Sequence, residues 1–143
     1  MQQPVENAQL FYEYYRQWID VYKKGAIREA TLDKYLMTQK WVEKLAPELK
    51  VYELTRTAYQ KLLNDYAKNH EKQTTLDFHH QLKGAVLDAV DEGLIERDPT
   101  RKAIIKGKSP GVKKIKYSLI VGLLSDLISI ILSVVIVTLI FGN

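Results

Sequence analysis

The sequence predicts an all-α protein: a bundle of four helices, then a basic linker and an apolar C-terminal helix. Three features predict it. Apolar residues recur at i, i+3, i+4 and i+7 in four successive stretches, the mark of one-sided helices. No stretch alternates with period two for long enough to argue for a strand. Leu119 to Phe141 is almost wholly apolar, rich in Leu, Ile and Val, with the single charge Asp126.

The 143 residues suffice for one domain and an appendage. Residues 1–6 are polar, contain Pro4 and are expected to be disordered. Residues 7–100 are assigned to the helical domain, 101–117 to the linker and 118–143 to the tail. The first helix is expected from about Asn7 to Lys24, with Phe11, Tyr14, Tyr15, Trp18, Val21 and Tyr22 inward and Gly25 as its stop. Aromatics at helical spacing are read as core, not as a base-stacking platform. Thr31 is expected to cap a second helix reaching about Leu45, with Leu32, Tyr35, Leu36 and Val42 inward. Pro47 forbids its continuation, because the residue before a proline is pushed out of the helical region.

Glu48 to Leu54 reads as an extended link anchored by Val51 and Leu54. Thr55 or Thr57 then opens a third helix to about Asn69, with Tyr59, Leu62, Leu63 and Tyr66 inward. After a polar loop from His70 to Gln73, Thr74 or Thr75 is expected to cap the fourth helix. Its stripe is Leu76, Leu82, Val86, Ala89 and Val90, and Gly93 supplies a left-handed stop after which Leu94 and Ile95 fold back. Lys72, Thr74, His80, Lys83 and the small Gly84 leave its other side basic, polar and low in bulk. Gly107, Ser109, Pro110 and Gly111 mark a flexible linker.

Lys and Arg number 21 against 17 Asp and Glu, a formal charge of +4. That balance is compatible with a polyanionic partner without proving one. Its distribution says more: Arg101, Lys102, Lys106, Lys108, Lys113, Lys114 and Lys116 follow one another with no acid among them. No cysteine is present, which excludes disulfides and Cys-based metal sites. The N-terminus lacks the basic-then-apolar layout of a signal peptide.

Four phrases in order carry a family resemblance across roughly residues 8–116. They are Phe11-Tyr12-Glu13-Tyr14-Tyr15-Arg16-Gln17-Trp18, Ala30-Thr31-Leu32-Asp33-Lys34-Tyr35, Leu54-Thr55 ahead of Tyr59, Leu62 and Leu63, and the run from Leu76 through Ala89-Val90-Asp91-Glu92-Gly93-Leu94-Ile95-Glu96-Arg97-Asp98-Pro99. Together they resemble the N-terminal, SAM-like core-binding domain of phage-type tyrosine recombinases, the integrases. Asp98 stands where that family usually has Asn. The resemblance implies a four-helix SAM-like bundle that binds double-stranded DNA during integration and recombination, with other integrase protomers as further partners. It carries over no catalytic residue. The family's tyrosine nucleophile and its surrounding arginines, lysine and histidines belong to a separate catalytic domain, and no His-x-x-Arg occurs here, since Gln81, Leu82 and Lys83 follow His80. The chain is therefore expected not to be an enzyme and to need no cofactor.

The candidate DNA contacts lie at two helix starts, where free N–H groups and the positive dipole end suit a phosphate. Around the second helix they are Arg28, Thr31 and Lys34, with Thr38 nearby. Around the fourth they are Lys72, Thr74, Thr75, His80 and Lys83, and on the linker Lys106 and Lys108. Each lysine taken singly is more often a solvated face. No metal site is expected, because adjacent His79 and His80 point about 100° apart on a helix and no carboxylate cluster completes a set with His70.

The tail stands apart. Leu119 to Phe141 meets the roughly 20-residue requirement for crossing a bilayer, and Lys113, Lys114 and Lys116 before it would place the helical domain in the cytoplasm. The family resemblance stops at about Tyr117, which favours an integrase truncated or frame-shifted before its catalytic domain, with a non-native extension and a cytoplasmic location. The alternative is a domain anchored to the membrane through residues 118–143, including the case of a small membrane-tethered module that binds another protein.

Overall fold

The structure is a computed structural model that describes residues 8–109 and 112–142; the side chains of residues 112–118 are outside that description. The expected disordered stretch 1–6 and the linker residues Pro110 and Gly111 lie outside the described residues. The described chain is all-helical: α1 Phe11–Trp18, a π-helical turn Ile19–Lys23, α2 Glu29–Leu45, a 3-10 turn Val51–Glu53, α3 Arg56–Ala67, α4 Lys72–Asp91 and α5 Val112–Phe141. Among the described residues β pairing is confined to two isolated bridges, Leu10 with Lys50 and Glu71 with Lys108. The chain divides into two compact units, residues 1–108 and 109–143.

The first unit closes on one core. Phe11, Tyr14, Tyr15 and Trp18 of α1 are buried, as their helical spacing implies, together with Val42, Val51, Leu54, Tyr59, Leu62, Leu63 and Tyr66. From α4 the core takes Phe78, Leu82, Ala85, Val86 and Ala89. Leu32, Tyr35 and Leu36 are half-buried against it.

The end of the first helix departs from expectation. Ile19 is fully buried, whereas Val21 and Tyr22 are exposed. The chain widens into a π turn after Trp18, which advances the backbone by fewer degrees per residue than an α-helix and rotates Val21 and Tyr22 off the buried face. Lys23 then lies over the rings of Trp18 and Tyr35, 5.0 and 5.4 Å from their centroids.

Two helix starts also differ. Thr55 caps α3, its hydroxyl accepting from the Ala58 N–H at 3.2 Å. Thr31 does not cap α2, and neither Thr74 nor Thr75 caps α4. α2 begins at Glu29 with Arg28 in the cap position, and α4 begins at Lys72 with Glu71 there; neither position makes a side-chain cap bond. Thr31 sits on the first turn, its N–H already bonded to the Arg28 carbonyl. Thr75 is fully buried and its hydroxyl donates back to the Glu71 carbonyl at 3.1 Å.

α4 stops as Gly93 requires. Gly93 has φ +77°. Its N–H bonds the Val90 carbonyl and the Leu94 N–H bonds the Ala89 carbonyl, the paired closure of a left-handed helix stop. Ile95 follows into the core. Asp98 then accepts from both the N–H and the hydroxyl of Thr100, at 2.8 and 2.6 Å, a turn that a carboxylate makes as well as the amide usual in the family.

The basic stretch after Thr100 is not the flexible linker its composition suggests, as far as Lys108. It forms a strap on α3 and on the start of α4. Gln60 holds Ile104 from both sides, accepting from its N–H at 2.9 Å and donating to its carbonyl at 2.8 Å. Ala103 and Ile105 pack against the core, and the Lys108 N–H donates to the His70 carbonyl at 2.9 Å. Gly107 allows the close approach: a Cβ there would lie 2.1 Å from the Lys72 backbone nitrogen.

Candidate nucleic-acid interface

α4 is held rigidly before any ligand is considered. Hydroxyls of Tyr14 and Tyr15 donate to the carbonyls of Ala85 and Gln81, at 3.3 and 3.1 Å. The Trp18 indole donates to Asp88 at 2.7 Å, the Thr38 hydroxyl donates to the Gln81 side-chain oxygen, and the Tyr59 hydroxyl lies 2.7 Å from His79 Nδ1. These ties orient one side of α4 inward and leave the opposite arc open.

Along that arc α4 and α2 enclose a groove of about 500 Å³, lined by Thr31, Lys34, Thr38, Thr74, Asp77, His80 and Gln81. Tyr35, Tyr66 and Phe78 also line it; Tyr66 stacks between Phe78 and His70 at centroid separations of 3.9 and 3.8 Å, with Trp41 edge-on to Tyr66. Four of the sequence-derived candidates, Thr31, Lys34, Thr74 and His80, therefore share one groove. Asp77 is an acid among them that sequence reading passed over, although its place three residues after Thr74 puts it on the same arc.

The other candidates fall elsewhere. At about 100° per residue, Lys72 and Lys83 project from the flank of α4 away from α2, with His80 between that flank and the groove. Both are exposed. The strap brings exposed Lys106 and Lys108 beside the first turn of α4, because Gly107 between them abuts Lys72. Arg28 is exposed at the start of α2 but does not line the groove. Thr75 is excluded from any surface contact by its burial. Gly84 serves packing: a Cβ there would stand 3.2 Å from the Trp18 ring.

The remaining polar groups are internal. His79 is 9% exposed, and its pKa is lowered by burial, with His80 and Lys83 adding to the effect and Asp98 opposing it. Tyr14, Tyr15 and Tyr59 have their hydroxyl pKa values raised, chiefly by burial. His70 Nδ1–H donates to the Tyr66 carbonyl, 2.7 Å away, and the ring packs on aromatic neighbours. Among the described residues no three His, Cys, Asp or Glu side chains are grouped to hold a metal ion.

No protein-family model matches the sequence, and no curated protein matches it. Solved structures do. The N-terminal domain of the prophage pi2 protein 01, an integrase from Lactococcus lactis, is 34% identical with a TM-score of 0.66, covering 69% of this chain and 94% of that one. A phage integrase fragment from Staphylococcus saprophyticus is 30% identical with a TM-score of 0.59, covering 67% of this chain and 87% of that one. The chain belongs to the phage integrase N-terminal domain family. The same fold occurs in the integrase of the Tn1549 transposon, solved in complex with a circular-intermediate DNA: 14% identity, TM-score 0.59, covering 72% of this chain and 34% of that one. The integrase-type domain thus accounts for the helical unit; α5 is an apolar helix that follows the strap in sequence.

Proposed function

We propose that the integrase-type domain binds double-stranded DNA with the open arc of α4 as the ridge that enters a groove of the duplex. The observation that carries this reading is the convergence of Thr31 and Lys34 from α2 with Thr74 and His80 from α4 on one groove. Lys34 then meets one phosphate strand. Lys72 and Lys83, joined by Lys106 and Lys108 of the strap, meet the other. The DNA complex of the transposon integrase of the same fold supports it. Hydroxyl and lysine contacts to phosphate fix register and carry little base information, so the binding is modest in sequence preference.

No strand cleavage is assigned to this domain. The hydroxyls of Tyr14, Tyr15 and Tyr59 are bonded inside the core, and burial favours their protonated form. None is placed to attack a phosphate in the α2–α4 groove.

A mobility-shift series with residues 1–108 on duplexes of unrelated sequence tests the reading. Affinity should fall linearly with salt on a log–log scale, with a slope of roughly 0.9 for every phosphate neutralised. Absence of any shift at about 50 mM salt, the regime in which counterion release favours binding most, would overturn it.

A further inference from the structure

We propose that Leu119–Phe141 crosses a lipid bilayer and holds the DNA-binding domain at the cytoplasmic membrane surface. The span is 23 residues long. At 1.5 Å per residue it reaches about 35 Å, enough for a hydrocarbon core of about 30 Å with some tilt. Its apolar side chains are not gathered in a stripe. Leu123, Leu127, Ile131 and Val135 are exposed, and so are Leu119, Ile130, Val137 and Ile140 on other sides. A helix that lies flat on a surface keeps a strongly charged face; here Gly122, Ser125, Asp126, Ser129 and Ser133 form only a narrow stripe with a single charge, so most of the circumference needs an apolar surrounding. Lipid provides it.

Two of the four hydroxyl residues within the span fit that surrounding. The Ser133 hydroxyl donates to the Ser129 carbonyl at 2.9 Å, and the Thr138 hydroxyl donates to the Val134 carbonyl at 2.8 Å. Each is satisfied by its own helix, the condition that hydrocarbon imposes on a polar group. Asp126 is the one charge; it lies closer to the middle of the span than to its N-terminal end, and the many Leu, Ile and Val residues around it offset its insertion cost. Lys113, Lys114 and Lys116 precede the span on the side of the helical domain. Lysines so placed retain their end of a span in the cytoplasm, where they also meet anionic headgroups.

The test uses the full chain expressed in a bacterial host, and the purified chain mixed from detergent with vesicles of phosphatidylcholine and phosphatidylglycerol. The chain is expected to stay with membranes through alkaline carbonate extraction and to float with vesicles in a density gradient. Ile130→Arg combined with Ile131→Arg is expected to lower the floating fraction at least roughly tenfold, since midspan arginines oppose insertion. That double variant should still shift duplex DNA as the wild type does in detergent, which keeps this inference separable from the DNA-binding reading. The chain has no cysteine, so single-thiol variants report orientation. An impermeant thiol reagent should label Phe141→Cys in intact cells, and Lys40→Cys only after lysis. Release by carbonate, sedimentation without vesicles as a soluble assembly or an aggregate, equal flotation of the arginine variant, or labelling in the reverse pattern would each overturn the proposal.

Discussion

Replacing Tyr59 by Phe removes one hydroxyl from a fully enclosed site and leaves the ring in place. The hydroxyl lies 2.7 Å from His79 Nδ1, with no exposure at Tyr59 and 9% at His79. In the tautomer that carries its proton on Nε2, Nδ1 accepts from Tyr59. Tyr59→Phe therefore loses the bond and strands a buried acceptor, at a cost of about 1–3 kcal/mol. For a domain of this size that is a fall in Tm of roughly 4–8 °C per kcal/mol. The pair also sets a pH dependence. Burial lowers the His79 pKa in the folded state, so below about pH 6.5 the unfolded chain binds more protons than the folded one. Stability should be flat above that pH and decline as the pH falls from there toward the folded pKa. Circular-dichroism melting of residues 1–108 at near-neutral and mildly acidic pH measures both effects. The double variant Tyr59→Phe with His79→Leu should melt above Tyr59→Phe alone and lose the acid decline, because neither partner is then left stranded. A single variant that melts within about a degree of the wild type, with the same acid decline, would refute the argument.

Lys83→Glu or Lys72→Glu should weaken duplex binding on every sequence alike, whereas Lys→Ala at either position should reduce the log–log salt slope by roughly 0.9; the mobility-shift series reads both. Asp77→Asn, which removes the acid from the groove lining, should raise duplex affinity at low salt and leave the Tm near that of the wild type, as binding isotherms and melting curves would show. Gly107→Ala places a Cβ 2.1 Å from the Lys72 backbone nitrogen, so the strap must lift; the expected cost is about 1 kcal/mol for the Lys108–His70 bond, with faster amide exchange at Lys108 and weaker DNA binding through the displaced Lys106 and Lys108.

Much of the bundle was legible because its cues are local. Phe11, Tyr14, Tyr15 and Trp18 repeat at helical spacing, Thr55 can reach the Ala58 N–H, and Gly93 alone accepts its φ cheaply. The threonines at 31, 74 and 75 misled because capping depends on where the preceding backbone turns, and for α4 that is fixed by the distant Lys108 at His70. The π turn leaves no periodic signature of its own, so Val21 and Tyr22 looked inward. The strap was hidden because its docking rests on Gln60, on Gly107 against Lys72 and on the half-buried Ala103 and Ile105, all within a stretch whose charge suggested a free linker. Of the site, the residues pointed to two helix starts; that Thr31, Lys34, Thr74 and His80 line one groove, that Thr75 is buried and that Asp77 stands among them all required coordinates.

If the domain binds DNA as proposed, the five ties from Tyr14, Tyr15, Trp18, Thr38 and Tyr59 onto α4 have a consequence for how a duplex would be read. A recognition helix already immobilised by its neighbours loses little conformational entropy on docking, so more of the contact energy appears as affinity. The same stiffness prevents it from following a groove of the wrong width. Discrimination can then come from how readily a given stretch of DNA deforms to fit, even where no base edge is touched.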